Sequence, residues 1–139
     1  MFERIMVPVD LHHAAAMEKA VAAAATLAKA SGATVSFVSV TAPQPTDVAA
    51  NPEAFAEVLR DFADRQAKAH DMATGAHPIT SHDPRAEIDD LLARAATDLN
   101  ADLVVMATHA PGIAEYVWPS HGGRLASHSD RSVLLVRGE

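Results

Sequence analysis

The sequence predicts a single α/β domain in three layers, a parallel sheet with helices on both faces. Three observations carry this. Short apolar runs at Ile5–Val9, Thr34–Val40, Leu103–Met106 and Val133–Val136 read as buried strands. Long stretches of helical composition or spacing separate them. The resulting order is βαβαβαβαβ, and helical crossovers between buried strands imply parallel pairing. A chain of 139 residues suits one domain over 1–139 and is too short for two.

Each element follows from its residues. Pro8 cannot donate to a ladder, so it belongs at the end of the first strand, with Asp10 just past it. His13 to Ala30 is dense in alanine, with Met17, Val21 and Leu27 as larger apolar residues, and predicts one helix. Ser31-Gly32 ends it, glycine standing at the usual C-terminal cap. TVSFVSV, residues 34–40, is β-branched and partly alternating, and predicts the second strand. A Pro-rich loop follows over 42–52. Pro52-Glu53 opens a helix to about Met72, where Phe55, Val58, Leu59 and Phe62 make one apolar stripe. His77 to Ser81 is a weak short strand. Asp83-Pro84 starts a helix from Arg85 to about Leu99 that turns Ile88, Leu91, Leu92 and Ala95 inward. Asn100-Ala101 links to the fourth strand, and a helix at 120–129 precedes a last strand at 132–137.

Composition excludes several classes of function. A net charge of -7 with no basic run argues against nucleic acid and against an anionic membrane surface. Aromatics at 4% leave almost no stacking platform for single strands. With no cysteine there is no disulfide, thiol nucleophile or zinc finger. No charged segment followed by a long apolar core opens the chain, and no run approaches 18 apolar residues, so neither a signal peptide nor a membrane span is expected. The expected location is the cytoplasm.

The last third carries the functional signal. It reads DLVVMATHAPGIAEYVWPSHGGRLASHSDRSVLLV, residues 102–136. An apolar strand ends in the polar tip Thr108-His109, and loops at the carboxyl ends of parallel strands are where open α/β sheets bind ligands. Three stretches resemble the universal stress protein family: IMVPVD at 5–10, ADLVVMATHAPG at 101–112, and HSDRSVLLVR at 128–137. The likeness covers essentially the whole chain. It implies an adenine-nucleotide-binding-like fold with five parallel strands ordered 3-2-1-4-5. It also implies a homodimer paired through the last strand, Val133–Val136. Pairing there would cover a bare apolar edge, otherwise an aggregation hazard.

Members of that family that bind ATP carry G-x2-G-x9-G-(S/T), and this chain departs from it. Ala107 and Ala110 stand at the first two glycines, and Pro119-Ser120 at the last glycine and hydroxyl, in a loop one residue short. Alanine resists positive φ and adds a methyl where a phosphate would approach, and Pro119 has no N–H to offer. Against this, Gly112 lies close by and Ser120-His121-Gly122-Gly123 opens a helix with a good N-cap, a ready anion site. The resemblance therefore implies a cleft lined by Pro8, Val9, Asp10, Val38, Val40, Ala107, Thr108, His109, Gly112, Ser120 and Gly122. Two readings stand. In one the cleft is degenerate, and the protein acts by binding and regulation through a partner protein rather than by catalysis. In the other the loop is a rebuilt phosphate site for ATP or AMP with Mg²⁺, with slow ATP hydrolysis.

Individual residues keep plainer readings beside these. Asp10 serves equally as a ribose or metal ligand, by resemblance, and as a cap for the following helix. His12, His13, His109 and His121 read as solvated loop histidines, since none shows metal-binding helix spacing with a helper carboxylate. Ser120 reads as a cap, because no G-x-S-x-G elbow surrounds it. Tyr116 and Trp118 read as a local lid on the core or as a pocket wall.

Overall fold

The computed structural model describes residues 1–108 and 130–138. The strands are β1 (Arg4–Pro8), β2 (Thr34–Thr41), β3 (Thr74–Thr80), β4 (Leu103–Thr108) and β5 (Ser132–Arg137). The helices are α1 (Glu18–Ser31), α2 (Pro52–His70) and α3 (Pro84–Asp98). The five strands form one parallel sheet in the order β3-β2-β1-β4-β5, as expected. The expected helix at 120–129 lies outside the described residues.

Strand alternation splits the core in two. Ile5, Val7, Val35, Phe37, Leu103 and Val105 face α1 and α2 and meet Met17, Val21, Leu59 and Phe62. Met6, Val38, Val104 and Met106 face α3 and meet Ile88, Leu92 and Ala95. The small residues Ala20, Ala24 and Ala28 are the buried stripe of α1, so alanine lets that helix lie close to the sheet. The helix ends at Gly32, φ 73°, a left-handed position that suits glycine.

Side-chain caps fix where helices begin. Asn51 accepts the N–H of Ala54 and Asp83 that of Ala86, each followed by proline in the first turn. Ser81 adds a second tie at α3, donating to Glu87 and accepting the N–H of Asp83. At the opposite edge of the sheet, Asp102 accepts the N–H groups of Glu3 and Arg4 at 2.8 and 3.2 Å, clamping the start of β4 to the start of β1.

Two elements differ from the sequence reading. The single helix expected from His13 is a 3-10 segment, Leu11–Met17, followed by α1 from Glu18. His13 is the break, with φ -131° and ψ 46°. The cause is Asp10, whose carboxylate binds both the His12 N–H and the His13 ring, pulling that turn away from α-helical geometry. The third strand begins at Thr74 rather than His77. Thr74-Gly75-Ala76 has little intrinsic strand preference; continuous pairing with Val35-Ser36-Phe37 supplies it.

Candidate functional site

The sheet opens where its winding reverses. β2 and β3 lie on one side of β1, β4 and β5 on the other, so β1 and β4 meet at the switch point. Their ladder covers only Ile5↔Leu103 and Met6↔Val104. Beyond it β1 continues beside β2 as far as Pro8↔Val38, and β4 continues beside β5 as far as Thr108↔Arg137. The two central strands therefore part over their carboxyl-terminal halves. A crevice at that place is where doubly wound sheets take ligands.

β1 delivers Pro8, Val9 and Asp10 to this edge, and β4 delivers Ala107 and Thr108. Val9 is held from two directions: its N–H donates to the Val38 carbonyl at 2.8 Å, and its carbonyl accepts the Ser39 hydroxyl at 2.8 Å. Val38 contributes that carbonyl while its side chain lies wholly within the α3-side core, and Val40 is half-buried beside the same core. Thr108 is half-buried, and its carbonyl accepts the N–H of Gly138 at 2.7 Å, which draws the end of β5 alongside. His109, Gly112, Ser120 and Gly122, like Tyr116, Trp118 and His121, lie outside the described residues.

Asp10 is the described carboxylate at the mouth of the crevice. One oxygen accepts the His12 N–H at 3.0 Å, and the other lies 3.0 Å from Nδ1 of His13. The capping reading of Asp10 is thus realised on a 3-10 segment. About four lone-pair positions are available on a carboxylate, so these two contacts leave room for a ligand hydroxyl. His12 turns away from Asp10 and places Nδ1 on Asp47, in the loop after β2. Among the described residues no group of three or more His, Asp or Glu is arranged to hold a metal ion. A depression of about 410 Å³ lies on α2, lined by Val58, Asp61, Asp64, Arg65 and Lys68; it meets no strand end and carries both charge signs, which sets it apart from the crevice.

Ser39 is a supporting residue that sequence reasoning passed over. It is 2% exposed, and its hydroxyl holds the backbone just before Asp10. The signal was a small polar residue inside an otherwise apolar strand end. Ser39→Ala leaves a buried carbonyl without that partner, and the expected loss is about 1–3 kcal/mol of stability, measurable by urea unfolding. A change under ~0.5 kcal/mol would show that the bond does not anchor β1.

Comparison with known proteins agrees with this architecture. A family model described as the universal stress protein family matches residues 1–137. A universal stress protein structure from Archaeoglobus fulgidus superposes with a TM-score of 0.71 at 17% identity, covering 97% of this chain and 98% of that one. A universal stress protein in complex with cAMP gives a TM-score of 0.67 at 20% identity, covering 99% and 98%. A second Archaeoglobus fulgidus structure, in complex with dAMP, gives 0.66 at 16% identity, covering 96% of each chain.

Proposed function

The chain belongs to the universal stress protein family, and we propose that within it this protein acts by binding an adenine nucleotide rather than by turning one over. The observation that carries the reading is the parting of β1 and β4 beyond Met6 and Val104, with Asp10 at the mouth. Relatives of the same fold are described in complex with cAMP and with dAMP, each an adenine nucleotide with one phosphate. The residues of this chain favour a single phosphate for a physical reason. Ala107, Ala110 and Pro119 replace the three glycines whose backbone would cradle a chain of phosphates. Ser120 with Gly122 and Gly123 is a sequence that suits a helix start, and such a start would keep one set of anion donors. Asp10 takes the ribose hydroxyls. Occupancy of the cleft, read by a partner protein, is the regulatory output, and the lack of cysteine fits work in the reducing cytoplasm. Two copies pair through β5. No helix among the described residues is long and apolar enough to cross a membrane.

The second reading, an ATP-binding member with slow hydrolysis, is favoured by the same Ser120-His121-Gly122-Gly123 sequence. Thermal unfolding separates the two. AMP at 100 times its Kd stabilises a protein by about 2.7 kcal/mol, a shift of several degrees. We expect that shift with AMP, no larger shift with ATP and Mg²⁺, and its loss in Asp10→Ala. A larger shift with ATP and Mg²⁺, accompanied by phosphate release, establishes the second reading. No shift with any adenine nucleotide rejects both.

A further inference from the structure

The connection after β2, residues 42–51, leaves the same sheet edge as the crevice, one strand away from β1. It is internally ordered. Thr46 donates its N–H to the Ala49 carbonyl at 2.9 Å, and its hydroxyl oxygen accepts the N–H groups of Val48 and Ala49 at 3.2 and 3.3 Å. Asp47 sits at the apex of this turn and pairs with Nδ1 of His12. His12 in turn donates its backbone N–H to Asp10. One residue thus joins the loop to the carboxylate at the mouth of the cleft.

We propose that His12 is a positioning residue that couples the 42–51 connection to Asp10, so that this connection acts as a strap closing the β2 side of the cleft over a bound nucleotide. This rests on the binding reading above and adds to it how the site is gated. The chemistry suits a gate rather than a permanent clamp. The His12 side chain is 40% exposed and that of Asp47 78% exposed. A solvent-screened pair of this kind shifts an equilibrium only a few-fold. A strap held so lightly opens without unfolding the domain, and local opening of this sort is what amide exchange reports. When the pair breaks, the segment that carries the N–H to Asp10 loses its tie to the connection.

Hydrogen exchange of the ligand-free protein tests the coupling directly. His12→Ala and Asp47→Ala are each expected to speed exchange of the Thr46, Val48 and Ala49 amides about threefold. The double variant should be no faster than either single one, and amides of β1 and β4 should be unchanged. His12→Asn, which keeps a side-chain N–H, should restore the slow rate. AMP should dissociate about threefold faster from both alanine variants. Additive effects, unchanged exchange in either single variant, or failure of His12→Asn to rescue would overturn the strap. The two proposals fail separately. If exchange behaves as stated while AMP does not bind the native protein, the coupling stands and the binding reading falls. If AMP binds and the loop amides do not respond, the reverse holds.

Discussion

Phe37→Ala is expected to destabilise the domain by about 3–5 kcal/mol and to lower its melting temperature by roughly 10 °C or more. Phe37 is fully buried in β2 and meets Phe62 of α2 edge to face, ring centroids 5.2 Å apart at 89°. The loss has two parts. Truncation opens a cavity between sheet and helix, and it removes an aromatic pair worth about 0.5–1.5 kcal/mol beyond its area. Set against a typical total of 5–15 kcal/mol, this is a large fraction. The site should feel it as well. The next residue, Val38, supplies the carbonyl that holds Val9, one position before Asp10. A variant that still folds in the cold should therefore bind nucleotide more weakly, although the Phe37 side chain itself is buried in the core against Phe62. Urea unfolding measures the first effect and titration with AMP the second. A loss under ~1.5 kcal/mol would mean that this ring pair is not the centre of the α1–α2 side of the core.

How much of this was readable in the sequence follows from where the information lies. The central strands were legible because β1 and β4 are buried on both faces, so IMVPV and LVVMA are continuous apolar runs that no amphipathic helix would need. The helix starts at Asn51-Pro52 and Asp83-Pro84 were legible because capping is local. The start of β3 was not, since its first three residues are strand only through pairing with β2. The 3-10 turn was hidden because alanine after His13 argues for helix at every position, while the cause of the break is one carboxylate upstream. The cleft itself divides in the same way. Asp10 and the loss of the glycines could be named from motifs, whereas the Ser39–Val9 bond and the His12–Asp47 contact join residues distant in sequence; a local pattern flags Ser39 as polar in an apolar strand but names neither partner.

In the dimer proposed above, charging the β5 edge is expected to yield monomers. Among the described residues, β5 is the terminal strand of the sheet and pairs with β4. Val133 and Val136 turn into the two cores, and each packs against one of them. Leu134 and Leu135 remain 37% and 45% exposed, the most exposed large hydrophobic side chains among the described residues apart from Met1. The outer side of a terminal strand that presents two adjacent leucines is a template for another strand. In the proposed dimer, antiparallel pairing of two β5 strands across a two-fold axis would extend the ladder, cover the leucines on both faces and close the assembly at two copies. The native chain should then sediment at twice its mass of 14.6 kDa at micromolar concentration. In Leu134→Glu/Leu135→Glu, each two-fold contact would bring like charges together in place of apolar surface. Such juxtaposition costs several kcal/mol, so the dissociation constant should rise at least about a hundredfold and the variant should run as a monomer. The paired test is thermal unfolding of the monomeric variant. Because both leucines are already partly in water in a single chain, that variant should still unfold cooperatively. A native protein that sediments as a monomer, or a doubly charged variant that stays dimeric, would remove β5 from the assembly.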